Sequence, residues 1–171
     1  MNSEQRRRKI IEKLKHSKEP LSGGNLADYF NVSRQVIVQD IALIRAQGNE
    51  IIATARGYLF PKTREQGIVK TIAVIHSPEK MSDELLTIVE LGGRIIDITV
   101  EHPIYGEITA SLMLETKEDV ENFYADFQKK NAEPLAIVTN GVHLHTIEVP
   151  SEKIYEIIID ALKEKDLLLE S

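Results

Sequence analysis

Apolar positions in the first third of the chain recur with a helical period. Ile10, Ile11 and Leu14 share one face of the segment Arg6 to His16, and Leu26, Ala27 and Phe30 do the same within Leu21 to Phe30. Ser33 is placed to cap a third helix running to about Gln47, which carries Ile37, Ile41 and Ile44 at the i, i+4, i+7 spacing of a buried stripe. Gly48 ends it. Ile51-Ile52 and Tyr58-Leu59-Phe60, on either side of Ala55-Arg56-Gly57, then predict a hairpin.

The polar stretch over residues 61–68 reads as a linker between one domain at 1–60 and a second at 69–171. In the second, the apolar period alternates between strand and helix. The pattern predicts a strand at Val69–His76, a helix at Asp83–Leu91 closed by Gly92-Gly93, and strands at Arg94–Val100 and Ile108–Leu114. A helix at Lys117–Lys130 follows. Leu135–Val138 and Val142–Val149 then read as a hairpin around Thr139-Asn140-Gly141, before a last helix at Ser151–Leu162. The order β-α-β-β-α-β-β-α is that of an α+β domain, a two-layer arrangement of an antiparallel sheet with helices on one face.

Composition narrows the setting. Of 171 residues, 42% are hydrophobic and 28% charged, as expected for a soluble globular protein. No apolar run approaches the roughly 20 residues of a membrane helix, and no apolar stretch follows the basic N-terminus as in a secretory signal. A cytoplasmic protein without membrane contact is expected. There are no cysteines, so disulfides and thiolate metal sites are excluded and histidines and carboxylates are the strong ligands left. The net charge of −6 is unevenly spread: residues 1–67 carry twelve Lys/Arg against seven Asp/Glu, and residues 68–171 nine against twenty. An anionic partner is therefore expected at the basic front of the chain.

The segment LSGGNLADYFNVSRQVIVQDIALIR meets the requirements of a helix-turn-helix. Ala27 is small where two helices approach, Asn31 tolerates the left-handed turn, and Val32 and Ser33 supply the apolar residue and the cap. With Ile37, Ile41 and Ile44 turned inward, the third helix presents Arg34, Gln35, Val38 and Gln39 to the major groove. Arginine forks onto guanine, glutamine onto adenine, and valine meets a thymine methyl. Arg56 at the hairpin tip would be the wing residue, and Arg6, Arg7, Arg8 and Lys9 are candidates for phosphate contacts. This stretch resembles the winged helix-turn-helix at the front of many bacterial repressors, over about residues 4–60.

Four of the five histidines lie in the acidic part. His143 and His145, two apart on a strand, leave the same face, with Leu144 expected to point the other way into the core. Such a pair is either a polar outer face or a ligand pair for one metal ion. His76 ends the first strand of this part, and Glu84 lies in the first turn of the next helix. Three imidazoles and a carboxylate suit zinc, nickel, cobalt or iron rather than magnesium or calcium.

Residues 69–171 resemble the 3H domain, and the full chain resembles the niacin-responsive, NiaR-type transcriptional repressors. The resemblance rests on His76 with Glu84 eight residues on, EHPIYGE at 101–107, and NGVHLHTIEV at 140–149. It implies an HPr-like sheet and a metal site of His76, Glu84, His143 and His145. One divalent ion per chain is expected, nickel or zinc first, with manganese, iron or cobalt as others. The resemblance also implies nicotinic acid as corepressor of genes for NAD biosynthesis or niacin uptake. A pyridine nitrogen suits an open metal position and a carboxylate suits hydrogen-bond donors. His102, Tyr105 and Arg94 are the candidate ligand-binding residues. Asn140 stands where the family pattern leads one to expect glycine.

Two other functions compete. In one the transition metal is itself the signal that the repressor senses. In the other, a His₃Glu site activates water as in a hydrolase, but the chain offers no general base, nucleophile motif or cofactor loop, and no enzyme is expected. A single helix-turn-helix reads one half-site, so a homodimer on a palindromic double-stranded operator is expected, held together by the acidic domain.

Overall fold

The computed structural model describes residues 1–61 and 67–170, which leaves most of the expected linker outside the described residues. The chain divides into two compact units, Met1–Thr63 and Arg64–Ser171.

The first unit holds α1 (Ser3–His16), α2 (Gly23–Phe30), α3 (Arg34–Ala46) and a short hairpin of β1 (Ile52–Thr54) and β2 (Gly57–Leu59). Each helix has its own start signal. The side chains of Asn2, Ser22 and Ser33 accept from the backbone N–H three residues on, and Gln5 returns the bond to Asn2. Asn31, at φ 52°, makes the left-handed turn between α2 and α3. Ile10, Leu14, Leu26, Phe30, Ile37, Ile41 and Ile44 close one core. The hairpin is tied back to the start of α2 by paired backbone bonds between Leu21 and Tyr58, both 2.9 Å. Gly57 permits this: its φ is +132°, and a Cβ there would lie 2.5 Å from the Leu21 carbonyl.

The second unit contains β3 (Ile68–Ile75), α4 (Met81–Glu90), β4 (Arg94–His102), β5 (Gly106–Leu114), α5 (Lys117–Lys130), β6 (Val142–Val149) and α6 (Glu152–Glu164). It is α+β, with an antiparallel sheet in the order β3-β6-β4-β5. Ile72, Val74, Ile95, Leu114, Ile147 and Val149 from the strands pack with Leu85 and Ile88 of α4, Val120 of α5, and Ile158 and Leu162 of α6. The helices cover one face of the sheet. On the opposite face Val69, Ile75, Val142 and Leu144 are exposed.

One local expectation fails. Leu135–Thr139 forms 3₁₀ turns, not a strand, so β6 has no hairpin partner immediately before it. Pro134 leads into these turns and lacks the N–H a strand ladder needs, and Asn140, at φ 52°, closes them in a left-handed conformation. β6 pairs instead with β3 and β4, in the middle of the sheet.

Candidate metal centre and DNA-reading face

β6 decides which way the paired histidines point. His143, His145, Ile147 and Val149 alternate with Val142, Leu144, Thr146 and Glu148, and the period of two puts the first set on one face. Ile147 and Val149 are fully inside the core, so both imidazoles are carried inward, 3% and 1% exposed. Leu144 takes the other face and is 38% exposed. The expectation that Leu144 enters the core and the histidines stay outside it is thereby reversed.

His76 reaches the same place from the end of β3. Its backbone N–H donates to the Gly141 carbonyl at 3.4 Å, and the two backbones are so close that a Cβ at Gly141 would lie 2.3 Å from the His76 carbonyl oxygen. Gly141 has φ +94°, so position and conformation both require glycine. Glu84 projects from the first turn of α4 into the space between the rings and is completely buried.

The four side chains form one cluster. Glu84 Oε2 is hydrogen-bonded to His76 Nε2 and lies 3.5 Å from His143 Nε2, and Glu84 Oε1 lies 3.0 Å from His145 Nε2. Ligand atoms of His76, Glu84 and His143 all fall within 4.8 Å of one another. The other ring nitrogens are spoken for. Nδ1 of His76, His143 and His145 lies 2.8 Å from the carbonyl oxygens of Ser77, Gly141 and Asp97, respectively. A carbonyl only accepts, so each Nδ1 carries a proton and donates it, and each Nε2 faces the centre. Asp97 and the carbonyls of Ser77 and Gly141 are the supporting groups that side-chain chemistry in the sequence did not point to.

Charge in the cluster is strongly coupled. Burial opposes ionisation of Glu84, but His145, His143 and His76 outweigh it and hold the carboxyl well below the usual range. Burial pulls His76 down, yet the hydrogen bond and charge of Glu84 leave it above its usual 6.5. His145 follows the same course: burial lowers it, and the charge of Glu84 raises it further.

These residues fit a divalent transition ion. Glu84 Oε1 and His145 Nε2 are buried without a hydrogen bond despite their approach, which leaves two donor atoms for an ion to engage. Nitrogen and carboxylate donors with backbone-fixed imidazoles are the chemistry such ions take.

Beside the cluster a cavity of about 320 Å³ opens, lined by His76, Ser77, Pro78, Met81, Pro134, Ala136, Ile137, Asn140 and Gly141. His102, Tyr105 and Arg94 are not among its walls. His102 Nδ1 accepts from the N–H of Ile104 and of Tyr105 at 3.1 and 3.2 Å, and so shapes the β4–β5 turn, where Tyr105 is 77% exposed. Arg94 is at the far end of β4, opposite Glu148, and its guanidinium contacts Glu115 at 2.8 Å and Glu148 at 3.4 Å. A histidine that shapes a turn and an arginine held by two carboxylates were not brought to this cavity. Met81, Pro134 and Ile137 line it instead, and their residue types do not distinguish them from ordinary core and loop.

In the first unit, Arg34, Gln35 and Gln39 are exposed on α3 and Val38 is half-buried beside them. The Arg34 side chain lies close to Gly23 at the start of α2. Arg56, at the hairpin tip, contacts Glu19 at 2.8 Å. The basic run before these elements is not one uniform surface. Arg6 and Arg7 turn inward to Asp40 of α3, at 2.6 and 3.3 Å, and Arg8 pairs with Glu4 at 2.5 Å. Arg6 and Arg7, candidates for phosphate contacts together with Arg8 and Lys9, are thus held in ion pairs with Asp40.

Two family models match separate stretches of the chain. Residues 6–59 match an HTH domain model and residues 69–171 match the 3H domain model. The chain is 46% identical over 167 residues to "Probable transcription repressor NiaR" of Thermotoga maritima, covering 98% of this chain and 95% of that one. It is 41% identical over 167 residues to "Transcription repressor NadR" of Bacillus subtilis, covering 96% and 93%.

Proposed function

Because this chain belongs to the 3H-domain family and is a transcription repressor of the NiaR type with a DNA-binding helix-turn-helix, not an enzyme, we propose that nicotinic acid is its corepressor. Its targets would be genes of NAD biosynthesis or niacin uptake, on double-stranded operator DNA, in the cytoplasm. His76, Glu84, His143 and His145 would hold one divalent transition ion per chain, nickel or zinc first.

The observation that carries this reading is the meeting of three backbone-oriented Nε2 atoms and a buried carboxylate, with one of the rings, His76, in the wall of an apolar cavity. When bound, the ion supplies a Lewis-acid position for a pyridine nitrogen. Met81, Pro134 and Ile137 offer apolar surface for an aromatic ring, and Ser77 and Asn140 offer polar groups at the same wall. Its volume is at the lower end of small-molecule sites, which suits a single-ring acid. Arg34, Gln35, Val38 and Gln39 would read base edges, with Arg56 as the wing contact. Two chains would act together as a homodimer on a palindrome.

Near-complete burial of all four donor side chains, none more than 4% exposed, favours a second reading in which the metal itself is the signal. One experiment separates the two. Operator fluorescence anisotropy is followed with metal-free protein, with buffered metal alone, and with metal plus nicotinate. The corepressor reading expects tight binding only in the last. Full binding with metal alone supports the second reading, and a nicotinate response in metal-free protein overturns the shared site.

A further inference from the structure

Asp40 is an unusual residue for its place. It lies on α3, directly after the exposed Gln39 and directly before the buried Ile41, and is itself only 3% exposed. Both of its carboxylate oxygens are used. Oδ2 lies 2.6 Å from Arg6 Nε and Oδ1 lies 3.3 Å from Arg7 Nη1. The two arginine side chains are 12% and 21% exposed, so the whole group is largely withdrawn from water.

An ion pair of this kind adds little net stability, because desolvation of the charges offsets their attraction, and an apolar residue at position 40 would extend the Ile37–Ile41–Ile44 stripe. What a two-oxygen clamp adds is direction. Apolar contacts let a helix slide and roll by small amounts, whereas two guanidiniums on one carboxylate fix its rotation and height. The clamp is anchored at its other end, since α1 begins in a capping box at Asn2 and Gln5, immediately before Arg6 and Arg7.

We propose that Asp40 is a positioning residue for sequence reading: its clamp by Arg6 and Arg7 sets the rotation of α3 that aims Arg34, Gln35 and Gln39, and keeps both guanidiniums off the DNA backbone. The inference depends only on DNA binding by the helix-turn-helix and stands whichever effector controls it. Base-edge contacts need alignment within a fraction of an ångström, while phosphate contacts tolerate rolling. Loss of the clamp therefore lowers discrimination and adds sequence-independent binding.

The test uses the full chain at fixed metal and nicotinate, a duplex selected by the wild type from a random pool, and a scrambled duplex. Asp40→Asn keeps the side-chain shape and releases the arginines. Discrimination between the two duplexes should fall about tenfold, the equivalent of about 1.4 kcal/mol. Affinity for the scrambled duplex should rise, and its slope against log salt should steepen by about one to two as the freed cations meet phosphates. Arg6→Gln with Arg7→Gln removes the same clamp from the other side and serves equally if the Asn variant does not fold. Discrimination should fall while the salt slope stays at the wild-type value. Wild-type discrimination in either folded variant overturns the proposal, as does a flattened salt slope in the double variant, which would place the arginines on the DNA.

Discussion

Replacing Glu84 by Gln should remove most of the pH dependence of the metal-free protein's stability. Glu84 is completely buried among three imidazoles, with Nε2 atoms at 3.0 and 3.5 Å and a third hydrogen-bonded. His76 and His145 have raised values, so the stability they contribute is fully present below about 6.5 and is lost as pH rises through their folded values. Glu84 is lowered, so its contribution is present above about 4.5 and is lost as pH falls through its folded value. Metal-free wild type should thus be most stable between those two limits, and should weaken toward pH 8.5. Each histidine accounts for up to about 1.4 kcal/mol per unit by which its folded value exceeds the unfolded one.

Breaking a buried ionic group by removing one partner costs about 3–5 kcal/mol. That is a large share of the roughly 5–15 kcal/mol that holds a domain folded. Glu84→Gln should lose stability of this order at pH 6 and much less at pH 8.5, where the wild type has already given it up. Urea unfolding followed by circular dichroism, in chelator, at pH 5.5, 7 and 8.5 measures both. The first unit is common to the two proteins, so their difference reports the cluster. With excess nickel or zinc the wild-type trend should invert, because the ion takes neutral imidazoles and binds more tightly as protons leave. Metal-free wild type that gains stability from pH 6 to 8.5, or a Gln variant equal to it at pH 6, would refute the charge assignment.

The remaining expectations are quickly put. Arg34→Ala and Gln39→Ala should each cost about 1–3 kcal/mol of operator affinity in anisotropy titrations while metal content by elemental analysis stays unchanged. His143→Ala with His145→Ala should abolish metal binding and, because both rings occupy the core layer, also lower the thermal midpoint; unchanged melting would contradict the inward orientation. Gly141→Ala should disturb the join between β3 and β6, reducing metal affinity in a competitive chelator assay, since its Cβ meets the His76 carbonyl. Residues 1–66 alone should sediment as a monomer with weak operator affinity, and a stable dimer of that fragment would move the subunit interface to the first unit.

How much of this was legible in the sequence follows from how local each signal is. The helices of the first unit carry their own caps, and Asn31 sits where only a few residue types accept a left-handed turn, so the helix-turn-helix could be read from short windows. The metal candidates were legible as residue types, because His76 and Glu84 flank one strand-to-helix connection and His143 and His145 share a strand. Leu144 taken alone points to the opposite orientation from the one the strand adopts. The parity of the whole strand, with Ile147 and Val149 in register with the histidines, gives the answer, since one apolar residue counts for less than the set that shares its face. Leu135–Val138 was an apolar run too short to separate a strand from a tight helical turn, and Pro134 decided it.

The arginine run shows where local reading stops. Arg6, Arg7 and Arg8 look alike in sequence, yet two meet a carboxylate more than thirty positions away and one meets Glu4, a turn earlier on the same helix. Only tertiary contact between α1 and α3 distinguishes them. The same is true of the cavity, whose walls come from the end of β3, the start of α4 and the 3₁₀ turns before β6. A conspicuous loop such as HPIYG stands out by its residue types, and its histidine accepts from two N–H groups of its own turn. Chemistry-bearing residues announce themselves by type; the surfaces that complete a site are ordinary residues brought there by topology, and they become visible only when the strands are in order.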